Sequence, residues 1–209
     1  MPDSPSGAAP PRRRRSDARR SIGAILDAAR VVLGERPEAS MEDVATAAGV
    51  TRQTVYAHFP SRDALVGALV EAAAAEYLAL LDAAGLDTAP PAEALARFLD
   101  VGWHFLGRHP LVLNPAAPGA PQPGRNALSA AVPPRLERLV RRGQRSGDFD
   151  AALPADWLAD AVIGVQHTAA AHLAAGRVTA REAAALCLES TLRLCGGSLP
   201  VTKTRHGHP

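Results

Sequence analysis

At 209 residues the chain has room for one large domain or two small ones, and its 47% hydrophobic content is ample for a core. A formal net charge of +2 excludes a chain whose overall charge selects its partners, so electrostatic preference must lie in how the charges are placed. Aromatic residues are only 4%, alanine- and leucine-rich runs such as "EAAAAEYLALL" favour helix, and the alternation of a half-buried strand is missing, so an all-α fold is expected.

Residues 1–15 are rich in Pro, Ser, Gly and Arg and read as a disordered basic arm. Arg12, Arg13, Arg14, Arg15, Arg19 and Arg20 precede Ser21 against Asp3 and Asp17, a run that is either a solvated tail or a nucleic-acid contact. No apolar core follows these charges, so a secretory signal is not expected. Ser16 or Asp17 can cap a first helix with Ile22, Ile25, Leu26, Ala29 and Leu33 at helical spacing, stopped by Gly34.

The run "SMED", residues 40–43, has the form of a capping box and opens a short second helix through Ala48. Gly49 supplies a left-handed turn that a residue with a Cβ resists. Thr51 caps a third helix, which Pro60 ends, and Ser61 caps a fourth, with Asp63 favourable in its first turn. That fourth helix is expected to run to Ala84, about 36 Å. A fifth follows over residues 91–108. The prolines of "HPLVLNPAAPGAPQPGR", residues 109–125, predict a loop. Helices are then expected from about Asn126, again over 134–145, over 155–175, and over 179–195 with a second capping box from Thr179 and Glu182. Residues 198–209 read as a flexible tail. No apolar run is expected to reach the roughly 18 residues of a membrane span. Cys187 and Cys195 lie about 12 Å apart along one helix, too far for a bridge, and read as buried thiols of a cytoplasmic protein.

The third helix carries the most informative residues. With Arg52 at 0° and steps of about 100°, Val55 and Phe59 fall near 300° and 340°, facing the first two helices. Gln53, Thr54 and Ala57 face away, and the small Ala57 permits close approach to a surface. Gln53 and Thr54 can hydrogen-bond base edges and Arg52 guanine or phosphate. Tyr56, His58 and Arg62 are rim donors suited to phosphate oxygens.

These residues lie within "SMEDVATAAGVTRQTVYAHFPSRDAL", residues 40–65, which resembles the helix-turn-helix of the tetracycline-repressor (TetR) family of transcriptional regulators. Val44, Ala45, Gly49, Val50 and Val55 match the general helix-turn-helix pattern. Thr54-Val55-Tyr56, His58-Phe59 and Arg62-Asp63-Ala64-Leu65 carry the family-specific part. Where the family usually has a glycine followed by an aromatic or aliphatic residue, this chain has Arg36 and Pro37. The resemblance implies DNA contacts from Thr51, Arg52, Gln53, Thr54, Tyr56, His58 and Arg62.

The resemblance also implies a helix-turn-helix domain over 16–60, a ligand-binding and dimerisation domain over 61–197, and a homodimer through helices 155–175 and 179–195. Ala161, Gly164, Thr168 and Ala171 form a small-residue stripe that admits a partner helix, and Glu189 is spaced to pair with Arg193. Phe98, Trp103, Phe105 and Trp157 are candidates to line an effector pocket, though aromatics at such spacing also make plain core. His104 lies on a polar stripe with Arg97, Asp100 and Arg108. His167 and His172, about 140° out of register, are a poor metal pair.

The function these features point to is a repressor that binds a palindromic double-stranded DNA operator as a dimer and is released by a small-molecule effector. An enzyme is not expected, because no nucleophile elbow, phosphate loop, paired-histidine metal motif or dinucleotide turn is present. Nor is a cofactor or metal. The alternative is a ligand- or protein-binding helical bundle without operator-specific DNA binding.

Overall fold

The computed structural model describes residues 11–109 and 123–196, and among these it holds eight helices and no strand. They are α1 (Pro11–Glu35), α2 (Met41–Ala47), α3 (Arg52–His58), α4 (Arg62–Ala83), α5 (Pro91–Arg108), α6 (Pro123–Ser146), α7 (Ala155–Ala174) and α8 (Ala180–Leu194). The all-α expectation holds. Two compact units divide within α4, the first reaching Ala72 and the second starting at Ala73.

Two boundaries differ from the sequence reading. α1 begins at Pro11 rather than at a Ser16 or Asp17 cap, so residues 11–15 of the expected arm have helical backbone. Proline suits a first helical turn and arginine is a good helix former. Residues 1–10, the Arg12–Arg15 side chains, the centre of the 109–125 loop and the 198–209 tail lie outside what is described. The two helices expected over 126–145 are one, α6, which passes through Pro133 and Pro134. Interior proline removes a backbone donor and costs about 3 kcal/mol. Here Val132, Leu136, Leu139 and Val140 are buried at helical spacing on one face, and that burial holds the helix through the pair.

In the first unit, Ile25, Ala29 and Leu33 of α1 meet Met41, Val44 and Ala45 of α2, Val55 of α3, Phe59, and Leu65 and Val66 of α4 in one core. Because the first turn of α4 is buried here, the unit boundary falls inside that helix and not at residue 60. α4 also corrects the expectation about apolar runs. It is 22 residues long with a window of mean hydropathy 1.7, long and apolar enough to cross a membrane by length and composition alone. Part of that apolar surface is buried inside the protein, at Leu65, Val66, Val70, Ala73, Ala74, Tyr77 and Leu81.

In the second unit α5 buries Leu95, Phe98, Leu99, Gly102 and Phe105. α7 buries Leu158, Ala159, Val162, Gln166 and Ala170, while α8 buries Ala183, Cys187, Thr191 and Leu192. A Cβ on Gly102 would stand 2.3 Å from Gln166 Nε2, so glycine is what lets α5 approach α7 this closely. Arg135 Nη2 bonds Asp82 at 2.9 Å, and Arg142 Nη2 donates to the Ala89 carbonyl at 2.6 Å, tying α6 to α4 and to the turn before α5.

Candidate nucleic-acid interface

Three local devices fix α2 and α3. The Ser40 Oγ accepts from the Asp43 N–H at 3.2 Å, while the Ser40 N–H and hydroxyl donate to Asp43 Oδ2 at 2.8 and 2.6 Å. This is the capping box expected from "SMED". The Ser40 hydroxyl, then its N–H, then the nearby charge of Arg36 hold the Asp43 carboxyl below its ordinary range. At the far end of α2, the Gly49 N–H bonds the Thr46 carbonyl at 3.2 Å and the Val50 N–H bonds the Ala45 carbonyl at 3.0 Å. That pair is a Schellman closure, with Gly49 at φ +66°. A Cβ there would touch nothing within 4 Å, so it is the backbone angle that selects glycine. Thr51 then caps α3, its Oγ1 accepting from the Thr54 N–H at 3.1 Å.

On α3, Val55 is fully buried and Phe59 nearly so, whereas Arg52, Gln53, Tyr56 and Ala57 are exposed and Thr54 and His58 half-buried. The helical register expected from the sequence is therefore the one observed. The Gln53 side chain makes no hydrogen bond among the described residues and keeps its amide donors and acceptor available. Thr54 Oγ1 lies 2.8 Å from Thr51 Oγ1, so each hydroxyl is oriented by the other. The Arg52 guanidinium sits 5.3 Å from the centre of the Tyr56 ring and 3.6 Å from Glu42 of α2. Sequence reasoning missed Glu42; an acid in the first turn of α2 gives no sign of its partner. Arg62 differs from the others: its Nη2 donates to the Pro37 carbonyl oxygen.

The four pocket candidates are not alike. Phe98 and Phe105 are buried, and Phe105 stacks on Tyr77 with ring centres 4.6 Å apart; burial pushes the Tyr77 phenol up to about 12. Trp103 is half-buried, and its Nε1–H has no hydrogen-bond partner among the described residues. Trp157 stands 56% exposed, about 180° around α7 from the buried stripe. It shares that outer face with Ala161, Gly164 and Thr168, which line a groove of about 500 Å³ closed on the other side by Ala183, Leu186 and Cys187 of α8. Ala171 is exposed but is not among the groove's lining residues.

Gln166 and Thr191 escaped the sequence reading. Both are buried polar side chains with an atom lacking a partner among the described residues, and a glutamine on the apolar stripe of α7 is the legible signal. Cys187 and Cys195 are buried free thiols. Burial raises Cys187, opposed by Thr191 and Trp103, whose polar atoms face its sulfur without reaching hydrogen-bond geometry. Burial alone pushes Cys195 up to about 11. Glu189 and Arg193 pair at 2.6 Å as expected, and exposed His104 lies 3.4 Å from Asp100. Among the described residues no three His, Cys, Asp or Glu side chains form a metal-binding group.

A short helix with a buried apolar edge and an exposed polar edge, set by a glycine turn against a second short helix, defines a helix-turn-helix protein. Residues 25–69 match the bacterial regulatory proteins of the tetR family, and the chain carries that family's N-terminal module. The same region is 50% identical over 50 residues to the HTH-type transcriptional repressor LfrR of Mycolicibacterium smegmatis, a match spanning 24% of this chain and 26% of that repressor. The fold is also similar to that of LfrR from Mycobacterium smegmatis in complex with proflavine. The TM-score is 0.66 at 23% identity, covering 87% of this chain and 99% of that one. SmeT, the repressor of the Stenotrophomonas maltophilia multidrug efflux pump SmeDEF, gives a TM-score of 0.65 at 19% identity, covering 85% and 91%. The named relatives are transcriptional regulators, not enzymes.

Proposed function

We propose that the protein is a DNA-binding transcriptional repressor that acts as a homodimer on a palindromic operator and is released by a small-molecule effector. The observation that carries this is the two-sided α3: Val55 is locked in the core while Arg52, Gln53 and Tyr56 stand exposed on a helix fixed at both ends. In this reading α3 enters the major groove, with Gln53, Thr54 and Arg52 at base edges and Thr51, Tyr56 and His58 at phosphates. A regulator of this kind works where the DNA is, which places it in the cytoplasm.

Dimerisation is assigned to the outer face of α7 and α8. The groove there is lined mainly by apolar side chains, with exposed Leu186 among them, and exposed Trp157 lies on the same outer face of α7. A second copy seated on that face presents two reader helices, and a half-site separation of about 34–36 Å is what successive major grooves require. The effector is assigned to the interior of the second unit, where Phe98, Phe105 and Trp103 supply apolar surface and the Trp103 and Gln166 N–H groups supply donors. Its effect on the operator is its differential affinity for two conformations of the dimer.

Footprinting on the DNA flanking the protein's own gene tests the reading. A protected palindrome that is lost in Gln53→Ala and Thr54→Ala is expected. Protection of no duplex would leave a ligand- or protein-binding bundle instead.

A further inference from the structure

Arg62 opens α4, and its guanidinium donates to the carbonyl oxygen of Pro37, 25 residues earlier in the chain. Pro37 lies in the connector between α1 and α2. Proline has no N–H, so that carbonyl is its sole backbone hydrogen-bonding group. The rest of the connector is held by short-range backbone bonds, from the Arg36 N–H to the Val32 carbonyl and from the Ala39 N–H to the Arg36 carbonyl, both 2.9 Å. Arg62 thus adds a long-range hydrogen bond to this segment, beside the packing of Ala39 in the core. Two residues past Pro37 the chain buries Ala39 and enters the Ser40 capping box. From α2, Glu42 then reaches Arg52 on the reader helix.

We propose that Arg62 is a positioning residue: by holding Pro37 it sets where α2 begins, and through α2 the pose of α3 on DNA. This rests on the DNA-binding reading above. The alternative role is a phosphate contact, and geometry separates the two. The planar guanidinium fork has fixed donor directions, and one arm is committed to a carbonyl of its own fold. A contact made only with DNA would leave the free side chain without such a seat.

The test uses the full chain, wild type and Arg62→Met, with the footprinted duplex and a random duplex of equal length. Binding is measured across a series of salt concentrations, well below the unfolding temperature, and amide exchange is followed in the free protein. The expected result is an affinity for the footprinted duplex about three- to tenfold lower, with random-duplex affinity and salt slope unchanged. Exchange at Arg36 and Ala39 should rise. A salt slope reduced by about one, with exchange unchanged, would make Arg62 a phosphate contact and overturn the proposal. Faster exchange with unaltered affinity would reduce it to a strut, overturning it as well. Should Arg62→Met fail to fold, Arg62→Lys keeps the charge and loses the planar fork. Lower footprinted-duplex affinity with faster exchange at Arg36 and Ala39 is then expected, and wild-type affinity with unchanged exchange would overturn the proposal. A wild-type chain that binds no duplex would overturn the DNA-binding reading itself, and the proposal with it.

Discussion

Arg52 lies over the ring of Tyr56 with 5.3 Å to its centre, one helical turn away on the exposed side of α3. The ring narrows the range of guanidinium positions before any partner arrives, and an exposed pair of this kind is worth about 0.5–1 kcal/mol. The Glu42 carboxylate on the other side, 3.6 Å away and well solvated, contributes little stability but biases the same rotamer. On the proposed function, replacing Tyr56 therefore removes both a phosphate donor and a platform. Tyr56→Ala should weaken operator binding by roughly 1–2 kcal/mol, and Tyr56→Phe, which keeps the platform, should recover about half of that. Fluorescence anisotropy with a labelled operator duplex separates the two contributions; equal loss in both variants would assign the whole effect to the hydroxyl.

Gly49 offers a stability prediction without a steric complication. Its φ of +66° is the left-handed region, and open space surrounds the place a Cβ would occupy. Gly49→Ala should therefore destabilise the chain by about 1–2 kcal/mol through backbone strain alone. Urea unfolding followed by circular dichroism measures it. A neutral result would mean the Schellman turn relaxes to another conformation at no cost.

The parts of this fold legible in the sequence are those with short-range causes. "SMED" and Thr179 with Glu182 each name a hydrogen-bond pattern closed within four residues, and both form as read. The orientation of α3 follows from a period of 3.6 residues, so Val55 and Phe59 could be placed inside and Gln53 outside. Long-range pairings were out of reach. Nothing local to Arg62 indicates that its partner is Pro37, 25 residues back. Pro133 and Pro134 argue locally for a break, and only the burial of residues on either side explains the continuous α6. Trp157 was grouped with the aromatics of α5 by residue type, whereas its angular position on α7 sets it on the outer face.

The two capping boxes make acid sensitivity predictable in sign. Asp43 and Glu182 are both held below their ordinary values of 3.8 and 4.5 by hydrogen bonds from their cap residues. A carboxyl with a depressed folded-state value contributes stability that is complete above its unfolded value. That stability is lost as pH falls through the folded one. The thermal midpoint should hold steady as pH is lowered toward 4.5 and then decline. In the double variant Ser40→Ala, Thr179→Ala the midpoint is lower at neutral pH, and its acid decline is somewhat shallower, because the hydroxyl bonds to both carboxyls are gone while the backbone N–H bonds from residues 40 and 179 remain. Parallel declines in the two proteins would place the acid sensitivity elsewhere.

The groove between α7 and α8 gives the assembly prediction. Its walls are small side chains, Ala161, Gly164 and Thr168, and Leu186 projects beside them 52% exposed. Small residues at helical spacing let a second helix approach closely, and an exposed leucine next to such a stripe gains by being covered. Filling the stripe or charging its flank should separate two copies without disturbing the core, because a Cβ on Gly164 meets nothing within 4 Å and Leu186 stands exposed. Gly164→Leu and Leu186→Glu should each shift sedimentation from dimer to monomer with little change in helix content. Operator affinity should fall steeply in parallel, since one monomer engages a single half-site. Retention of the dimer in both variants would move the assembly surface off this face and leave the groove open for another role.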